Sequence, residues 1–142
     1  MKKFKILFSL VFIIIFSNCI LTDENNDNEI SLQNTLWTLK SFDNDGNILK
    51  PPKDKIYTIH FNNDSTISGK NDCNDFFAKY IIFSGDSLKI DQLVTTEKNC
   101  SGDQSVSDKY LSALRKAHNY AIKNDCLYIY YENNYRLIFF IN

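Results

Sequence analysis

Ser68-Gly69-Lys70-Asn71-Asp72-Cys73-Asn74-Asp75-Phe76-Phe77-Ala78-Lys79-Tyr80, residues 68–80, and Thr96-Glu97-Lys98-Asn99-Cys100, residues 96–100, decide how this chain is read. Each stretch holds one cysteine and adjoins segments with strand-like patterning, so the two are expected to meet in space and fix the domain. The residues speak to compartment, anchor and fold class. They contain no constellation that names a reaction.

Working outward, Ile56–Phe61 alternates as a strand, with Tyr57, Ile59 and Phe61 on one face and Thr58 and His60 on the other. Asn62-Asn63-Asp64 is its turn and Ser65–Gly69 the returning strand. Cys73 and Asn74 follow in a polar loop, then Ala78–Phe83 and Ser87–Leu93 form a hairpin around Ser84-Gly85-Asp86. Upstream, Leu36–Lys40 alternates with Trp37 and Leu39 on one face, Asp45-Gly46 turns the chain, and Pro51-Pro52 keeps it extended. Downstream, Gln104–Asn119 is the one strong helix pattern, with Val106, Tyr110, Leu111, Leu114 and Ala117 on a single stripe. Ser105 and Asp108 are spaced as a capping box with Asp in place of Glu, and His118 falls in the expected last turn. Tyr120–Lys123, Cys126–Glu132 and Tyr135–Ile141 read as strands, joined by asparagine turns at Asn124-Asp125 and Asn133-Asn134. Strands, one helix, then strands again predict an α+β domain, mostly antiparallel β, with a curved sheet or partial barrel packed on one main helix.

Hydrophobic content of 44% and aromatic content of 14% exclude a disordered chain, and 142 residues suit one domain plus a leader. A net charge of −1 gives no basic face for nucleic acid. The leader carries Lys2, Lys3 and Lys5 and then the apolar run Ile6–Phe16, which falls short of the roughly 20 residues of a membrane span. It ends at Phe16-Ser17-Asn18-Cys19, which resembles a bacterial lipobox, although Phe16 and Asn18 depart from the commonest form. Residues 1–18 are therefore expected to be a signal peptide, and Cys19 the site of acylation that holds the protein on a membrane. Residues 19–34, acidic, asparagine-rich and without aromatics, read as a solvated tether, and 35–142 as the folded domain. The expected location is the bacterial cell envelope, with the outer membrane as the anchoring surface. Besides Cys19, the thiols Cys73, Cys100 and Cys126 allow three single pairings in an oxidising compartment, among which the residues alone do not choose.

Candidate chemistry is sparse. His60 sits on an outward strand face with no carboxylate close in sequence, which makes it a poor general base. The acidic run Thr22–Glu29 and the Asp43–Asn47 stretch lack the glycine spacing of a calcium loop. A zinc site from three cysteines and His118 lacks any C-x-x-C pair, so no metal and no cofactor are expected. Asp72, Asp75 and Glu97 could gather near the cysteines, but no nucleophile-base pair accompanies them, and no catalytic residue is assigned.

The order of these features resembles the META/HslJ family, a group often carried by bacterial lipoproteins, over most of the mature chain. The tryptophan strand is matched by Leu36-Trp37-Thr38-Leu39, the central motif by Gly69, Cys73, Asn74, Phe76 and Tyr80, and the following T-x-x-x-C element by Thr96 and Cys100. Tyr110-Leu111, Leu114, Tyr120, Leu127 and a phenylalanine-rich last strand complete the match. Asp72 and Ala78 stand where the family pattern has glycine. The resemblance implies a compact antiparallel domain with a packed helix, no established catalytic activity, and a general link with envelope stress. Because Cys73 and Cys100 both lie in matched segments, their pairing is the expected disulfide. It would close a loop of about 27 residues and stabilise by roughly 3 kcal/mol. Two roles stay open: a non-enzymatic envelope lipoprotein with a protein partner or structural role, and a carrier of a small apolar ligand or lipid. A filled core with an exposed patch favours the first, and a deep apolar cavity the second.

Overall fold

A computed structural model describes residues 30–141. The expected leader, Cys19 and the tether up to residue 29 lie outside the described residues. Strand β1, Leu36–Asn44, is longer than its alternating start suggests. A register shift between Leu39 and Ser41 breaks the alternation, so Ser41, Phe42 and Asp43 are buried in succession. Asp45 and Gly46, at φ of 55° and 88°, reverse the chain into the short β2, Asn47–Leu49. Both residues tolerate the left-handed region that a two-residue hairpin turn requires. The Asp43 carboxylate accepts the Gly46 amide at 2.8 Å and steadies this turn.

β3 (Tyr57–Phe61), β4 (Thr66–Asn71), β5 (Asn74–Ile82) and β6 (Leu88–Thr95) follow as a meander. Then come α1 (Ser105–Arg115), β7 (Ala117–Lys123), β8 (Cys126–Tyr131) and β9 (Tyr135–Ile141). The strands form one antiparallel sheet in the order β6-β5-β4-β3-β1-β9-β8-β7, with β2 appended to β1. The sheet curls until its two edges approach: Ser87 bridges Asn119, and the Tyr120 amide donates to the Asp86 carbonyl at 2.9 Å. The result is a half-barrel with α1 crossing between the two edge strands, as the α+β expectation requires.

Its interior is filled by large side chains. Trp37, Phe42, Ile59, Phe61, Phe76, Tyr110, Leu114, Leu127, Leu137 and Phe139 are fully buried. Each such side chain contributes about 1.5–3 kcal/mol by leaving water. Tyr110 of α1 enters the middle of the barrel and meets three rings: Tyr57 at 5.5 Å, Phe76 at 5.9 Å and Phe139 at 6.2 Å between centroids. Its hydroxyl donates to the Thr58 carbonyl at 3.1 Å, so the polar tip is satisfied at depth. Burial drives the Tyr110 pKa well above the ordinary tyrosine value.

Four local expectations are corrected. The helix stops at Arg115 rather than Asn119, because Ala117–Lys123 pairs with β8 and the sheet ladder outweighs the helical stripe. His118 is therefore an exposed strand residue, not a helix-end cation. Ser105 is the first helical residue rather than the cap. The cap position is Gln104, whose side chain makes no capping bond, and Asp103 before it accepts the Ser105 amide at 2.8 Å and hydroxyl at 2.9 Å. Asn74 and Asp75 belong to β5 rather than to a loop, since they continue the ladder with β4 opposite Asn71 and Lys70.

Candidate functional site

The β4–β5 hairpin turns at Asp72-Cys73, with Asp72 at φ 69°. The glycine of the family pattern is thus replaced by a residue that keeps the left-handed backbone. A short polar side chain tolerates that region better than most. At the second replaced glycine, Ala78, the chain is buried strand opposite Ile67 at the register shift between β5 and β6, where Gln92 and not Ala78 takes the positive φ, so a methyl group is accommodated. Gly69 is different. A Cβ there would collide with the Thr58 carbonyl oxygen and lie 2.5 Å from the Phe76 ring, its cross-strand neighbour. Glycine is required for this close approach rather than for a positive φ.

Cys73 is joined to Cys100 by a disulfide with Cα atoms 6.0 Å apart and a sequence separation of 27. The bond draws residues 96–100 against the hairpin, as the shared motif segments imply. Asn74 completes the clamp. Its Oδ1 accepts the Lys98 amide at 2.7 Å and the Thr96 hydroxyl at 3.0 Å, while its Nδ2 lies 3.0 Å from the Cys100 sulfur. Thr96 in turn accepts the Asp75 amide on its hydroxyl at 3.1 Å and donates its own amide to the Asp75 carbonyl at 2.9 Å. These side chains replace a strand that the loop does not form.

Ion pairs surround the clamp. Lys55 donates to the Asp72 carboxylate at 2.6 Å and to the Asp103 carbonyl at 3.2 Å, tying the hairpin to the start of α1. The hydrogen bond to Asp72 holds the Lys55 ammonium above its ordinary pKa. Lys98 donates to Asp75 at 2.8 Å, and that bond lowers the Asp75 carboxyl below the usual range. Residue-level reading missed Lys55, Lys98 and Asp103. Only the Asp103-x-Ser105 spacing, typical of an Asp turned onto its following amide, offered a signal.

The other motif residues lie apart from the clamp. Trp37 is buried on β1 and donates its indole N–H to the Leu32 carbonyl at 3.1 Å. Phe76 fills the core, and Tyr80 lies at the opposite end of β5, donating to the Asn62 carbonyl at 2.7 Å. Of the candidate reactive groups, His60 bonds Asn62 at 2.7 Å and His118 bonds the Glu132 carbonyl at 2.8 Å. Glu97 is exposed, and Asp72 and Asp75 are engaged by lysines. Cys126 is a half-buried free thiol at the start of β8. Among the described residues no three His, Cys, Asp or Glu side chains gather as a metal site.

Two clefts border this region. One, of about 350 Å³, runs along the clamp between Asn71, Asn74, Lys98, Gln104 and Ser107 and is polar. Another, of about 420 Å³, is a shallow apolar groove beside the register shift in β5, lined by Ile67, Phe77 and Ala78. Both are open surface features, and neither enters the filled interior.

No curated protein matches the chain. Among solved structures, it is similar to a protein from Burkholderia xenovorans studied by NMR. That pair has 20% identity and a TM-score of 0.67, covering 78% of this chain and 83% of the other. It is also similar to a DUF4847 family protein from Bacteroides vulgatus, with 18% identity and a TM-score of 0.56 over 76% of this chain and 92% of the other. These likenesses establish the fold. The META domain matches residues 30–142, which include all of the described residues, and the chain belongs to the META domain family.

Proposed function

We propose that this chain is a lipid-anchored protein of the bacterial cell envelope whose META domain binds a partner or supports envelope integrity without turnover. One observation carries the reading: the motif side chains are engaged in holding the fold. Asn74 and Thr96 fasten a loop, Gly69 admits the Phe76 ring, and Trp37 and Phe76 pack the core. The leader and Cys19 support an anchor, and the outer membrane is the expected surface. The carrier reading has less support, because Trp37, Phe76, Tyr110 and Phe139 occupy the interior that a carrier would leave open.

Complementation under envelope stress, with protein level measured alongside, tests the proposal. His60→Asn and His118→Gln are expected to preserve the phenotype. Loss of the phenotype at normal protein level in either variant would point to chemistry and overturn the non-enzymatic reading. Cys19→Ala is expected to abolish incorporation of labelled palmitate. Continued incorporation would remove the anchor.

A further inference from the structure

The strand ends divide the barrel into two rims. At one rim β1 begins, β3 passes into β4 through Asn62–Ser65, β5 ends, and β9 ends beside Trp37. The chain enters the domain at this rim: Asn34 donates its amide to the Phe61 carbonyl at 2.9 Å, and Gln33 donates to the Tyr80 hydroxyl at 2.6 Å. Several large exposed apolar side chains sit at this same end. Ile81, Ile82 and Phe83 extend β5 beyond the β3–β4 turn, and Phe83 is 53% exposed. Leu36, level with His60, and Ile141, level with Ile59, are exposed too but set back behind that polar turn. Ile48, Leu49 and Ile56 are exposed at the opposite rim as well, but Ile81, Ile82 and Phe83 are consecutive, the longest exposed apolar run among the described residues.

The sequence preceding Ile30 says what covers them. Cys19 is eleven residues before Ile30, and a fully extended chain spans about 3.3–3.6 Å per residue. The domain is thus kept within roughly 40 Å of the surface that holds Cys19, about its own diameter. The tether joins the domain at this rim, so this rim reaches the same surface with the least extension of the tether. The rim carries Asp64, Asp86 and Asp125 as well as Lys89 and Lys123, so its charges do not select an anionic surface. We propose that Ile81, Ile82 and Phe83 rest on the acyl region of the bilayer that anchors Cys19. The polar Asn62–Ser65 turn then lies at headgroup level. This inference rests on the lipid-anchor reading and adds an orientation to it: the clamp, at the opposite rim, faces away from the membrane.

The test uses the full acylated chain reconstituted in phosphatidylcholine vesicles, with Phe83→Trp as the probe and Ile56→Trp, at the opposite rim and 59% exposed, as the control. Trp37 is common to both proteins and fully buried. Lipids brominated on the acyl chain are expected to quench the Phe83→Trp emission severalfold more than the Ile56→Trp emission. Ile81→Trp is a second probe with the same expectation. Flotation is measured on the same samples. Proteins that float with equal quenching at both rims overturn the orientation and leave the anchor standing, whereas proteins that do not float overturn both.

Discussion

The two ends of the sheet are held by different means. From β3 to β6 the chain relies on a disulfide, on Asn74 and Thr96 standing in for a missing strand, and on lysines bound to Asp72 and Asp75. From β7 through β9 to β1 it relies on apolar packing and on ladders interrupted by one register shift in β1 and one in β7, with one half-buried ion pair. There Arg136 donates to the Asp43 carboxylate through Nε at 2.9 Å and Nη2 at 2.6 Å. Tyr110 and Trp37 belong to both. Tyr110 touches Tyr57 and Phe76 on one side and Phe139 on the other, and Trp37 lies on the strand between β3 and β9. A polar loop too short and too hydrophilic to pack needs side-chain bonds and a covalent link. A strand with alternating Leu, Ile and Phe does not.

The comparison is broken most severely at the shared residues. Trp37→Ala is expected to lower stability by about 3–5 kcal/mol, since a large core side chain leaves a cavity that both halves line. Chemical denaturation measures it, and a loss below about 1 kcal/mol would mean that the halves do not share one core. Removing the disulfide with Cys73→Ser and Cys100→Ser together is expected to cost about 3 kcal/mol, read by the same method against oxidised wild type. Gly69→Ala is expected to cost about 3 kcal/mol, because the new methyl group meets the Thr58 carbonyl oxygen as well as the Phe76 ring and the backbone must shift. Heteronuclear NMR shifts should concentrate at Phe76 and Tyr110.

Asp43→Asn sharpens the other side. It is expected to cost about 1–2 kcal/mol, since the carboxylate is buried but Arg136 is 40% exposed and solvent screens the pair. The Gly46 amide, and then Arg136, hold the Asp43 carboxyl below its ordinary value. A depressed carboxyl stabilises the fold above the unfolded value near 3.9 and loses that contribution as pH falls through the folded value. Acidification below about pH 4 therefore destabilises the wild type, and Asp43→Asn should show a shallower acid decline. An identical pH profile would mean that the pair does not contribute.

Much of this was legible in the sequence wherever side-chain period and structure agree. The strands Tyr57–Phe61, Cys126–Tyr131 and Tyr135–Ile141 announce themselves by alternation, and the disulfide followed from the matched motif segments. The helix end was not legible, because Ala117 continues the helical stripe and no glycine or proline stops it, yet it is buried equally well as the first residue of β7. Asn74 and Asp75 looked like loop residues because they are polar and follow the Asp72-Cys73 turn directly, yet they pair with Asn71 and Lys70 of β4. Asp43 and Arg136, 93 residues apart, carry no local signal of their pairing.

Amide hydrogen exchange in the Cys73→Ser, Cys100→Ser protein tests the division between the two regions most directly. The Thr96 and Lys98 amides, bonded to Asp75 and Asn74, should approach unprotected rates. The Ile129 and Leu137 amides in the β8–β9 ladder should accelerate only by the fall in global stability. Equal acceleration at all four amides would contradict a locally clamped loop on an independently packed sheet.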